Sequence, residues 1–363
     1  MHGFFFSHWD SQIDYLRFAA NALTSSSVKL YVGITDYDWF NLHASNPLVE
    51  EVNFWRPSPQ ASFKALQPGE MFLFKLHAPR NFIVGGGFFT RFLPLPLSLA
   101  WAAFGEANGA RSLGEVRARI SKYRKRPIAS NEDPYIGCIL LNEPFFFAES
   151  DWIPSPADFK GPTQVGKSYD AETGTGLMLG REVTARLAAI AARRSSAPLR
   201  EVSVRGTVVN GPPPVLGPAT LNAIDPPRYG APTLVAPRLG QGTFRALVTD
   251  AYNYRCAITR ERTLPVLQAA HIRAYAEGGP HELSNGLLLR SDLHTLFDQH
   301  YITVEPNKRT LIVSRRIREQ FENGRDYYAL NGHVLLEPAN ATAIPSIDNL
   351  SFHFERFTHL EDS

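Results

Sequence analysis

The feature that most constrains this chain is a long stretch with little in it to pack. From about Ser195, VVNGPPPVLGPATLNAIDPPRYGAPTLVAPRLGQG is dense in proline and glycine and poor in periodic apolar residues. Proline fixes φ and removes a backbone donor, so such a segment makes neither a helix interior nor a central strand. It reads as a semi-rigid linker, or an extended arm that wraps a neighbouring domain. The chain's 363 residues suffice for two domains and a linker. The expected division is 1–190, a linker or arm over 191–237, and 238–363. Hydrophobic residues at 44% and charged residues at 20% allow a real core on each side. No internal repeat is evident.

The first region alternates strand and helix signals. Ile13, Leu16, Phe18, Ala20 and Leu23 fall roughly on one face of a helix over 10–23. SSSVKLYVGITD reads as a turn and a β-branched strand ending at Asp36, and DWFNLHASN as a short helix. EVNFWRPSP is extended until its prolines. EMFLFKLH and NFIVGGGFFTRF are strands, and glycine at 85–87 implies a bulge or a backbone passing closely. LSLAWAAFGEANG and SLGEVRARISKYRKR are helical, YIGCILLNEPFFF is an apolar strand, and an Ala/Arg-rich helix follows.

In the second region, Phe244, Leu247, Val248 and Ala251 share one helical face. LPVLQAAHI and NGLLLR are strands, and SDLHTLFDQH is a helix with Ser291 as its expected N-cap. YITVEP, TLIVSRRI and HVLLEP add short strands, and a tail with Phe352, Phe354 and Phe357 packs back. His271, Asn285 and His294 stand in that order on strand, turn and helix, and His294 and Asp298 share a helical face. Hydrolysing a phosphodiester needs a base for water, a Lewis acid for the developing charge and something to orient the base. Taken singly, His271 is a core histidine, Asn285 a turn former, and His294 and Asp298 solvated helix residues. Their order and spacing carry the other reading.

That order resembles the HNH, or ββα-metal, nucleases over about residues 238–356, including RLGQGTFR, YRCAITR and the core stretch. The resemblance implies two short strands and a helix around one divalent ion. His271 is then the general base, Asn285 the brace of the local loop, and His294 a metal ligand. Asp298 is the second ligand, as in a branch of the superfamily with two helix ligands four residues apart. Such an N/O set suits Mg²⁺ or Mn²⁺, with Co²⁺, Ni²⁺ or Zn²⁺ as further candidates. The sequence departs at Ala270, where many members place an Asp or His ligand; Gln268 and Asp292 are the nearest replacements. His281 and His300 read as loop and surface residues. Thr259 stands where relatives complete a zinc-binding CxxC, so Cys256 reads as a buried apolar residue.

In the front region VGITDYDWF, NFWRPS, FKALQPGEMFLFKLHAPRNFIVGGGFF and GKSYD resemble the PUA-like superfamily, which includes EVE, ASCH, YTH and SRA modules. The implied fold class is α+β, a mixed β-barrel with helices followed by the ββα-metal domain. Several such modules read a modified base flipped from the duplex. Asp36, Trp39, Phe54 and Trp55 would line that pocket, although Asp36 could equally cap a helix and the aromatics could be core. Lys122, Arg124 and Lys125 suit phosphate contacts, or form a solvated helix end. The combined expectation is a modification-dependent restriction endonuclease on double-stranded DNA with 5-methyl- or 5-hydroxymethyl-type cytosine. Because one site cuts one strand, a homodimer is expected. The alternatives are an HNH nuclease indifferent to modification, and a non-catalytic nucleic-acid reader with a degenerate nuclease fold, motivated by Ala270. A net charge of +2 argues against a sequence-blind basic coat protein. The start, MHGFFFSHWDSQ, lacks a basic n-region and a long apolar run, so a cytoplasmic protein away from membranes is expected.

Overall fold

The computed structural model describes residues 28–46, 48–59, 62–129, 131–160, 165–195 and 239–362. The helix expected over 10–23 and most of the Pro/Gly-rich segment lie outside them.

The front region is built on one mixed sheet. Its strands are β1 (Lys29–Thr35), β2 (Glu51–Arg56), β3 (Met71–Leu76), β4 (Phe82–Pro96), β5 (Tyr135–Phe146), β6 (Ile153–Pro154) and β7 (Gly166–Asp170). They run in the order β2-β5-β4-β3-β1-β7, with β6 on β4. β1 and β3 pair in parallel, Leu30 opposite Met71, and the other pairs are antiparallel. No pairing joins the end strands β2 and β7 among the described residues.

Strand alternation divides the side chains between two faces. Leu30, Val32, Met71 and Leu73 pack with Leu179, Val183 and Leu187 of helix α4 (Gly174–Ser195). Tyr31, Phe72 and Phe74 face the other way, onto Trp39 and Phe40 of helix α1 (Tyr37–Ala44). The far ends of β4 and β5 pack under helices α2 (Leu97–Phe104) and α3 (Leu113–Arg124). The glycines at 85–87 meet expectation: a Cβ at Gly85 would lie 2.2 Å from the Phe145 carbonyl oxygen, and the β4–β5 register shifts between Gly86 and Phe88.

Helix α5 (Gln241–Ala251) joins the two regions because both of its faces are buried. Phe244, Val248 and Ala251 enter the core of the second region. Ala246 and Leu247 pack instead with Leu97, Leu99 and Phe104 of the front region. Leu247 thus leaves the single apolar face its spacing suggests, since two different surfaces meet this helix. Its N-terminus is capped from the other region by Glu51 of β2. The Glu51 carboxylate accepts from the Gly242 N–H at 2.6 Å, the Thr243 N–H at 2.9 Å and the Thr243 hydroxyl.

β8 (Leu267–His271) and β9 (Gly286–Arg290) then form an antiparallel pair with His271 opposite Gly286, and helix α6 (Ser291–Asp298) follows directly. This is the expected ββα unit. Arg290, not Ser291, occupies the N-cap, and α6 has no side-chain cap. β10 (Ile302–Val304) and β11 (Leu311–Val313) form a second pair. The short helices α7 (Arg316–Phe321) and α8 (Arg325–Tyr328) and the longer α9 (Ile347–Glu361) complete the domain. HVLLEP is not a strand; it contributes one isolated bridge, from Val334 to Thr310.

Candidate active site

The ββα unit opens onto a cavity of about 570 Å³, lined in part by Phe244, Gln268, His271, His294, Asp298 and His300. Its framework starts with Asn285, which is 0% exposed. The Asn285 side chain accepts from the Arg273 N–H at 2.9 Å and donates to the carbonyls of Arg273 and Pro280, each at 2.9 Å. Three bonds from one amide close the loop that follows His271. Gly286 comes next because α5 crosses here: a Cβ would lie 2.5 Å from Val248 Cγ2 and 3.1 Å from Phe244.

His271 lies flat on Phe244, with ring centroids 4.0 Å apart and planes 6° apart. Burial pushes its pKa down to about 4, and the neighbouring His281 and His294 add to that. The imidazole is therefore neutral near pH 7, the form a general base requires. Its Nε2 lies 3.3 Å from Nδ1 of His281. His281 is a loop residue, as expected, and is half-buried against the site. The signal missed was the loop closure by Asn285, which folds the position ten residues on back against His271.

The two residues read as metal ligands, His294 and Asp298, stand on α6. His294 Nδ1 donates to Gln268 Oε1 at 2.8 Å, which leaves Nε2 as the open nitrogen. That Nε2 lies 3.2 Å from Asp298 Oδ2. Two donor atoms at this spacing can share one ion, and Gln268 holds the imidazole in the tautomer a metal needs. Gln268 is therefore an orienting group where the sequence suggested a ligand. Asp292 is held by Arg290 at 2.7 and 2.6 Å, so its carboxylate is committed elsewhere. Ala270 is fully buried in the domain core. No cluster of three or more His, Cys, Asp or Glu side chains able to hold a metal occurs among the described residues. Two protein donors with the remaining positions left to water and phosphate fit a hard divalent ion.

The rear wall comes from the C-terminal helix, which sequence reasoning placed only as packed. His353 of α9 donates from Nε2 to the Phe297 carbonyl at 3.0 Å and accepts from the Thr303 hydroxyl at 2.8 Å. Its ring stacks on Phe297 at 3.8 Å and on His300 at 4.5 Å. His300, expected at the surface, thereby becomes a wall residue. Cys256 is fully buried, as read.

Residues 256–305 match the HNH endonuclease family model. The chain carries an HNH endonuclease domain. It is a phosphodiester hydrolase, of a class that generally works with a divalent metal ion. No curated protein sequence matches the chain. Two solved structures are similar to part of it, the ASCH protein of Zymomonas mobilis and a point mutant of that protein. Both are 11% identical; they cover 41% and 44% of this chain and 94% and 97% of their own, with TM-scores of 0.27 and 0.26.

The front-region candidates separate into two groups. Trp39 is 5% exposed and meets His43, Phe54 and Phe74 edge-on, so Trp39 stands in the aromatic core and the half-buried Phe54 packs against it. Asp36 is at the surface, accepting from the Tyr123 hydroxyl at 2.8 Å and lying 3.5 Å from His77. It occupies the α1 N-cap position without a side-chain cap bond. Trp55 packs edge-on against Tyr123 and donates to the Asn108 carbonyl. Arg124 is tied to the carbonyls of Pro57 and Tyr135, whereas Lys122 and Lys125 are exposed.

Proposed function

We propose that this chain is a modification-dependent DNA endonuclease, with a PUA-like front region that reads modified cytosine and a nuclease domain that cuts nearby. The observation that carries the nuclease half is the convergence of His271, His294 and Asp298 on one cavity. His271 takes the proton from the attacking water, and Asn285 holds the loop behind it. A divalent ion on His294 and Asp298 would supply Lewis acidity toward the phosphate and the leaving oxygen. Gln268 keeps the His294 Nε2 turned toward that position.

The reading of modified cytosine is supported by the surface group of Asp36, Tyr123 and Trp55. It offers a carboxylate to accept from a cytosine amino group and two rings for stacking. Trp39 and Phe54 support the fold beneath it. Lys122 lies on the same helix as Tyr123 and Lys125 at its C-cap, and both suit the phosphates on either side. A homodimer supplies the second strand cut. No helix among the described residues is long and apolar enough to cross a membrane.

The test is digestion of matched plasmids carrying cytosine, 5-methyl-, 5-hydroxymethyl- or glucosylated cytosine, with Mg²⁺ or Mn²⁺. Cutting confined to one or more modified plasmids is expected. Equal cutting of all four means that the front region positions DNA without reading modification. No cutting of any, with an intact fold, means a reader without catalysis.

A further inference from the structure

We infer that His281 is a positioning residue for the nuclease reaction: it selects the nitrogen with which His271 works and shares the proton His271 receives. The inference rests on His271 acting as the general base. The two rings meet through Nε2 of His271 and Nδ1 of His281 at 3.3 Å, with their planes 82° apart. One of these nitrogens donates and the other accepts, so a neutral pair has two arrangements. If His281 donates, His271 carries its proton on Nδ1 and has no lone pair left for water. If His271 donates from Nε2, its Nδ1 lone pair is available. Only the second arrangement is a base, so a working site requires His281 to accept.

The surroundings hold the pair in place. Phe244 fixes the plane of His271 from one side, and Tyr275 lies 4.6 Å from the His281 ring. The loop carrying His281 is pinned one residue earlier, where Asn285 donates to the Pro280 carbonyl. During the reaction a water O–H bond breaks and its proton goes to His271 Nδ1; the hydroxide–phosphorus bond forms as the P–O bond to the leaving oxygen breaks, and the leaving alkoxide takes a proton from solvent. His271 is then an imidazolium, and its Nε2 proton can pass to His281 Nδ1, so that the positive charge moves one ring away from the phosphate. Nothing else is consumed. Arg245, Glu277, His294, Asp298 and His300 line the same cavity and set the field in which this transfer occurs.

The full-length protein with Mn²⁺ and a DNA substrate it cuts provides the test, using His281→Ala and His281→Gln. Glutamine can accept from the His271 Nε2–H through its Oε1, and alanine cannot. His281→Ala is expected to lower kcat about 10- to 100-fold, within the range of acid–base contributions. KM should hold, and the acid limb of the pH profile should move downward, as the acceptor that stabilises the His271 imidazolium is lost. His281→Gln should recover most of the rate. In the wild type, ¹⁵N shifts of the His271 ring should report a proton on Nε2. An Nδ1–H tautomer, an unchanged rate and pH profile in His281→Ala, or equal damage in both variants would overturn the inference. His271→Ala is assayed in parallel. Cleavage that survives it removes the general-base reading itself, which is a different failure.

Discussion

Removing the Glu51 carboxylate tests whether the two regions act as one body. Glu51 belongs to the front sheet, yet it accepts two backbone N–H bonds and a hydroxyl bond at the start of α5. A bond to a charged acceptor contributes about 1.5–3 kcal/mol, so three give a gross of about 5–9 kcal/mol. Burial pushes the Glu51 pKa up against the lowering effect of those bonds, which shows that desolvation offsets part of the gain. A net loss of about 3 kcal/mol is expected for Glu51→Ala, near the lower end for breaking a buried charged contact. Glu51→Gln should lose less, since its Oε1 still accepts while its amide faces one donor. The consequence reaches the active site through Phe244, one residue beyond Thr243 and stacked on His271. A small displacement of the base can cost about 10²-fold in rate, so kcat should fall about 10- to 100-fold in Glu51→Ala. Urea unfolding and single-turnover cleavage measure the two effects. Stability within about 0.5 kcal/mol of wild type, the usual range for surface substitutions, together with unchanged cleavage would refute the coupling.

Three further outcomes follow from the same geometry. Asn285→Ala should cost about 3 kcal/mol in urea unfolding, from three lost bonds at a dry site; Asn285→Asp should cost at least as much, because it turns a carboxylate oxygen toward two carbonyls, and a milder Asp variant would contradict this. Gln268→Ala should weaken Mn²⁺ binding about 10- to 100-fold, read from the EPR signal of free Mn²⁺, as expected for loss of a group that orients a ligand. Burial lowers the pKa of His43 to about 4 and of His353 to about 3, below the unfolded value. Their contribution is complete above about pH 6.5 and is lost as pH falls toward those values, by about 2 kcal/mol each at pH 5. His43 Nε2 has no hydrogen-bond partner, so His43→Phe should flatten the fall in urea midpoint between pH 7 and pH 5; a slope equal to wild type would count against it.

Much of the nuclease site was legible in the sequence because its chemistry is local. A strand, a turn and a helix within about thirty residues fix His271, Asn285 and the His294–Asp298 pair, since strand direction and helical period are short-range rules. The front strands were legible for the same reason, through alternation and their flanking turns. The helix over Ile347–Glu361 was harder: its buried residues, Asn349, Leu350, His353 and Phe357, include an asparagine and a histidine, so the apolar pattern is broken where the site wall needs a polar ring.

What the sequence determined by itself was the kind of chemistry, since it rests on residue type and spacing along the chain. Only the tertiary structure decided which groups serve that chemistry. Glu51 reaches α5 across 191 positions, His281 returns to His271 through a braced loop, and Gln268 becomes the partner of His294. Trp39 went to the core because tertiary packing, not the aromatic content of a segment, decides which rings stay accessible. These are contacts between segments distant in sequence or turned back by a loop, and no local periodicity encodes them.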